Sequence, residues 1–469
     1  MDAGHDTLSG TSGLRTGVWI ACALLCGSVS AVVALEWMQW PVTHATLYGT
    51  LTVTLFALGL ISTDVGLALL VATIPLFDFA TLGPPAAPFT AAHVLLASTI
   101  LGWSARIVRD GRRALPRPTP LVAALAMPWL AGAISLAGSL APSSTLSGTG
   151  RLLVLWLLAM LIAWRANDAH RGRALLAELV AVACVMAGVA ALQYFDPALG
   201  IGRLTTQGFS SLVVLVRPSA FFLDPNFLAG YLSAAVLVAL VFMVRATRMR
   251  QAVWWGAGAL VALGGIAVTS SRSALIGLAV GLVVVLLTAP RQRRARLIVA
   301  VIVLTLVVAP FVPAAMYQRV AGLLDPTSEG SLATRYLMVQ SSVEMLSEFG
   351  IGGTGLGAYD LAYPAYRKPG ALPRITHPHQ VPLAMWVEMG VPGALSVLAI
   401  VAGIVWAWRR LAKQHYPAPG TAALAAVTAL VVESLFQYYL YFEYLWIFLG
   451  LLSAFSAVRQ EGDDVRDER

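Results

Sequence analysis

Charge is scarce in this chain: Asp, Glu, Lys and Arg make up 12% of its 469 residues, against roughly 25% in soluble domains. That scarcity excludes an ordinary water-soluble enzyme. Cysteine is scarcer still. Cys22, Cys26 and Cys184 all lie in apolar runs, with no CxxC pair and no histidine cluster beside them. Neither disulfides nor a metal site are therefore expected. Also missing are a Gly/Ser linker, a repeat of solenoid period, a phosphate-cradling glycine loop and a second soluble domain.

Apolar sequence fills the chain instead. It is 58% hydrophobic with a mean hydropathy of +0.78, and a run of about 20 apolar residues spans a bilayer as a helix. Fourteen such segments can be marked, near 17–37, 44–63, 64–83, 89–108, 120–140, 148–166, 172–195, 224–246, 251–270, 273–289, 297–316, 385–408, 420–438 and 441–457. Several are joined by almost no loop, so neighbouring pieces can be halves of broken or re-entrant helices. The expectation is an all-α polytopic membrane protein of about 12 (12–14) transmembrane helices. The run at 17–37 has full span length and no clear small-residue cleavage site, and it reads as a retained first helix.

The net charge of +8 matters less than where the cations lie. With the N-terminus inside and the spans alternating, 22 of the 31 Lys and Arg residues fall in inside segments, as the positive-inside tendency requires. Nine remain outside: Arg151, Arg203, Arg217, Arg272, Arg319, Arg335, Arg367, Lys368 and Arg374. Most of them sit in residues 196–223 and 317–379. The second segment is the longest interruption of apolar sequence, and long loops among short connections are commonly functional. It carries Tyr317, Tyr336, Tyr359, Tyr363 and Tyr366, and its stretch from Tyr336 to Leu346 suits a surface helix. The expected organisation is spans over 1–316, a folded outer loop over 317–379, C-terminal spans over 380–458 and a frayed tail over 459–469.

Three constellations could carry chemistry. In the run Arg217-Pro-Ser-Ala-Phe-Phe-Leu-Asp224-Pro-Asn226, Asp224 or Asn226 can cap a helix start, with Pro225 in its first turn. Arg217 suits bidentate phosphate binding, or else lipid headgroups by snorkelling. In Thr269-Ser270-Ser271-Arg272-Ser273, an arginine at membrane depth is by default a functional-site hypothesis, unless the boundary is a plain interfacial turn. The third is Thr376-His377-Pro378-His379-Gln380 with Glu388 further on. Histidine can take and return a proton near neutral pH, so the pair and Glu388 could form a base and its orienter. The HxH spacing also suits a metal pair, but no third ligand is evident outside.

His379-Gln380, followed by Gly390 and Gly393, resembles the histidine–glycine pattern of the O-antigen ligase and O-oligosaccharyltransferase superfamily. The resemblance extends to Arg217 with Asp224-Pro-Asn226, to Ser-Arg-Ser around Arg272, and to Arg335 followed by the glycine-rich run 350–355. It covers roughly residues 200–410. It implies a GT-C-type fold of twelve helices and a metal-independent, cofactor-free inverting glycosyltransferase in the bacterial inner membrane, with its active site on the periplasmic side. His379, Arg217 and Arg272 would then be catalytic, and Arg335, Asn226, His377, Gln380 and Arg203 would bind substrate. The implied donor is an undecaprenyl-pyrophosphate-linked polysaccharide and the implied acceptor the lipid A core. Membrane lipids would surround the protein and no nucleic acid is involved. An O-antigen polymerase and a protein O-oligosaccharyltransferase share the pattern. A lipid-linked glycan transporter is the alternative from another class.

Overall fold

The computed structural model describes residues 54–76, 91–201, 204–210, 213–312 and 331–457. The first expected span, the first half of the second, the C-terminal tail, Arg203 and Arg319 lie outside the described residues. The chain divides into two compact units, Met1–Leu115 and Pro116–Arg469.

In the first unit, a helical stretch at 54–61 is separated from α1 (Thr63–Thr73) by Ser62, whose extended backbone and side-chain oxygen cap α1 at the Val65 amide. Helix α2 (Ala91–Asp110) packs on α1. Small residues meet where they cross: a Cβ at Gly66 would lie 2.4 Å from the Thr99 hydroxyl. Such small-residue contacts let helices approach closely in a lipid-soluble bundle.

Among the described residues, the regular structure of the second unit is helical apart from one hairpin. It runs through α3 (Pro120–Ala124), α4 (Met127–Ser135), α5 (Pro142–Arg165) and α6 (Ala169–Phe195), and then the strands β1 (Leu204–Ser210) and β2 (Val213–Pro218). Next come α7 (Pro225–Arg245), α8 (Met249–Thr269), α9 (Arg272–Thr288), α10 (Arg291–Val308), α11 (Ser331–Phe349) and α12 (Tyr359–Tyr366). The last helices are α13 (Val381–Lys413), α14 (Ala418–Glu433) and α15 (Glu443–Ala457). Among the described residues, six helical segments are long and apolar enough to cross a membrane, the broken α3–α4 stretch Pro120–Gly138 counting as one, and four more apolar helices are shorter. The chain is a multi-pass membrane protein.

Helix α7 is the axis of this unit. It is buried continuously from Leu228 to Val241, between α8, α9 and α14. An apolar helix without a polar face belongs inside a bundle, and α7 and α14 both lack one.

Two findings refine the expectations. Segment 196–223 contains an antiparallel hairpin, with Thr205 opposite Arg217, rather than only loop. Segment 317–379 is partly helical where it is described. Helix α11 contains the expected stretch Tyr336–Leu346, and Met338, Met345, Tyr359, Tyr363 and Ile375 form a small core against Val387 of α13.

The glycine-rich run after α11 is fastened to α13 by a helix break. Gly390 has φ 63° and ψ −152°, a conformation essentially restricted to glycine, and a Cβ there would lie 2.1 Å from the Ile351 carbonyl. The break diverts the Val391 amide to Ile351 O at 3.1 Å, and Pro392 has no amide to give. The carbonyls so released, Val387 and Glu388, accept instead from Thr354 at 3.0 Å and Gly355 at 2.9 Å. The glycine-rich run thus replaces the missing helical hydrogen bonds. The stretch 391–413 that remains is by itself span length, about 20 residues or more.

Candidate active site

Arg217 emerges near the end of β2 and is 5% exposed. Its Nε donates to the carbonyl of Thr269, the last residue of α8, at 3.0 Å. Terminal helix carbonyls lack intrahelical partners and favour a cation. Nη2 of Arg217 donates to Asn226 Oδ1 at 3.0 Å, and the same oxygen accepts from Ser271 Oγ at 2.8 Å. Asp224 supplies the cap of α7, accepting from the Asn226 amide at 2.7 Å. This leaves the Asn226 side chain to orient the arginine. The turn before it is clamped by Gln193, which accepts from the Ala220 amide at 2.9 Å and donates to the Ala220 carbonyl at 3.3 Å.

Arg272 opens α9 directly after these serines, and Arg335 lies on α11. Burial lowers the pKa of Arg217; Asp224 opposes the shift, while Arg335 and then Arg272 add to it. Arg335 is lowered by burial and by Arg272, again with Asp224 opposing. Three guanidiniums and one carboxylate thus share a single electrostatic neighbourhood. Since arginine stays charged in proteins, the cluster carries surplus positive potential suited to an anion.

The histidines stand at the entrance to α13. His377 stacks flat on Tyr438, with centroids 4.4 Å apart and planes at 6°. His379, with φ +55°, meets His377 edge-on at 4.6 Å. Both imidazoles are pushed down to about 4, His377 by burial and then by His379, and His379 by burial and then by the Arg335 cation. Both are therefore neutral near pH 7. Nδ1 of His377 is buried and meets no hydrogen-bond partner among the described residues.

Glu388 does not hold an imidazole directly, which corrects the expected base–orienter pair. Its Oε1 accepts from the Gly357 amide at 3.1 Å and its Oε2 from the Tyr438 hydroxyl at 3.2 Å. Tyr438 is the intermediary: its hydroxyl binds Glu388 and its ring face carries His377. Gln380 is the N-cap residue of α13 and makes no side-chain cap bond. The adjoining Val381 amide ties this corner to Ser434 O at 2.9 Å. Among the described residues, no group of three or more His, Cys, Asp or Glu side chains is placed to hold a metal ion.

The geometry therefore brings Arg217, Asn226, Arg272, Arg335, His377 and His379 to one end of the second unit. Arg203 lies outside the described residues. Sequence reasoning missed Gln193 and Tyr438. The available signal was the aromatic run from Tyr438 to Tyr444, since tyrosines concentrate where a span meets a polar boundary.

Residues 257–398 match the family described as O-antigen ligase. The matched segment runs from within α8 into α13 and contains Arg272, Arg335, His377, His379 and Gln380; Arg217 and Asn226 precede it. No curated protein matches the chain.

Proposed function

We propose that this protein, whose residues 257–398 match the family described as O-antigen ligase, transfers a polysaccharide from undecaprenyl pyrophosphate to a sugar hydroxyl of the lipid A core. The observation that carries the reading is the position of Arg335. It is electrostatically coupled both to the Arg217–Arg272 pair and to His379, so an anion cradle and a neutral base share one site.

In the proposed step, the acceptor hydroxyl attacks the anomeric carbon from the face opposite the pyrophosphate and gives its proton to His379. The bond from the anomeric carbon to the pyrophosphate oxygen breaks, and its electron pair leaves on undecaprenyl pyrophosphate. Arg217, Arg272 and Arg335 stabilise the charge that develops there, as pre-positioned cations do in a water-poor site. The product has inverted configuration. With fixed guanidiniums meeting the pyrophosphate, the step requires neither metal nor cofactor. The partition of basic residues, 22 inside and nine outside, supports a periplasmic site in the inner membrane.

The test is reconstitution. Purified protein in liposomes receives undecaprenyl-pyrophosphate-linked glycan, lipid A core, or both, and products are read by mass spectrometry. Glycan joined to the core only when both are present is the expected result. Lengthened lipid-linked glycan without the core would assign a polymerase, and lipid-linked glycan crossing the bilayer unaltered a transporter.

A further inference from the structure

Glu433 closes α14 and is fully buried. No ion pair reaches it among the described residues. The helices close tightly around it: a Cβ on Gly277 of α9 would lie 2.6 Å from Glu433 Cγ, and a Cβ on Gly230 of α7 would lie 2.7 Å from its Oε2. Among the described residues no cation pairs with it to offset a charge, and burying an unpaired carboxylate in an apolar bundle is costly.

The hydrogen bonds point the same way. Ser233 Oγ lies 2.6 Å from Glu433 Oε1 and 2.9 Å from Gly230 O, and Tyr439 Oη lies 3.0 Å from Glu433 Oε2 and 2.7 Å from Asn226 O. With an ionised Glu433, two hydroxyl protons would have to serve four contacts, and every other atom in them would be an acceptor. A proton on Oε2 resolves the conflict at Tyr439: the carboxyl donates to the phenol oxygen, and the phenol donates to the Asn226 carbonyl. Ser233 can then donate to Oε1.

We infer that Glu433 is held as a neutral carboxylic acid that donates to Tyr439 and so fixes the backbone of Asn226, whose side chain orients Arg217. Glu433 is thus a positioning residue for the anion cradle. The protonation rests on the contacts alone; the effect on transfer rests on the function proposed above. Glutamine reproduces the required pattern, an oxygen for Ser233 and an N–H for Tyr439, whereas aspartate is one methylene short and alanine supplies neither group.

Infrared difference spectra of wild type minus Glu433→Gln, recorded in membranes at neutral pH, provide the first test. The expected result is the carbonyl stretch of a protonated carboxylic acid in the wild type, shifting in D2O and missing from the variant. A difference spectrum with only carboxylate bands overturns the proposal, and this reading stands whether or not transfer is detected. In the transfer assay, Glu433→Gln should keep the donor KM of wild type. Glu433→Ala and Tyr439→Phe should each raise it about tenfold, the effect of one lost buried hydrogen bond. If Glu433→Gln loses as much as Glu433→Ala with unchanged protein levels in the membrane, the donor role is wrong.

Discussion

The arginine cradle and the histidine mouth are built on opposite plans. Arg217 is fixed by hydrogen bonds on two sides, from Nε to Thr269 and from Nη2 to Asn226. The histidines are held by their ring faces and edges, and among the described residues Nδ1 of His377 is left without a partner. A group that must neutralise charge gains from being immobilised beforehand. A group that must accept a proton needs a nitrogen that no protein donor occupies. Stacking secures an imidazole without using its nitrogens.

That contrast is broken most severely at His379. His379→Ala should lower the transfer rate by about 10² to 10⁴, the usual value of a general base, while donor binding to the liposome-bound protein persists. Retained turnover would shift the base to His377. Next in size is Arg217. Arg217→Ala should cost about 1.5 to 3 kcal/mol of donor recognition, the range for hydrogen bonds to charged groups, and Arg217→Lys should recover only part because the planar fork is lost. Equal losses for Lys and Ala would show that the fork, and not the charge, carries the effect.

Tyr438 should separate ring from hydroxyl. Tyr438→Phe keeps the face beneath His377 and removes the bond to Glu388, for a loss of about 1 kcal/mol. Tyr438→Ala removes both and should be clearly worse, as read in kcat. Equal effects would mean that stacking does not hold His377. The subtlest change is expected at Arg335. The base works as neutral imidazole, so activity is lost as pH falls through the His379 pKa, which stands at about 4 with the Arg335 cation contributing to its depression. Arg335→Gln stabilises the imidazolium, and the acid limb of the kcat profile should move to higher pH. An unmoved limb would uncouple the two regions.

Much of this was legible in the sequence. The multi-pass helical character follows from hydropathy, Asp224-Pro225 from capping chemistry, and α11 from an apolar stretch inside a polar segment. The hairpin at 204–218 was hidden in a segment assigned only by its position between spans. The histidine–glycine spacing was visible, but its physical role was not. Gly390 matters because a segment some 35 residues earlier supplies the hydrogen bonds that the break in α13 removes, and no local pattern encodes such an encounter. Tyr438 was hidden for a different reason: in a hydropathy reading its ring counts toward the end of a span, while His377 and Glu388, which it touches, come from the entrance of another helix and about two turns into it.

The central claim is that fixed guanidiniums and a neutral histidine, without a metal, move a glycan from a lipid pyrophosphate to a sugar hydroxyl. It is tested most directly by reconstituted transfer to lipid A core in excess EDTA, with the anomeric configuration of the new linkage determined by NMR. The account predicts undiminished product of inverted configuration. Product of retained configuration, or transfer that stops with EDTA and returns with zinc or magnesium, would contradict it.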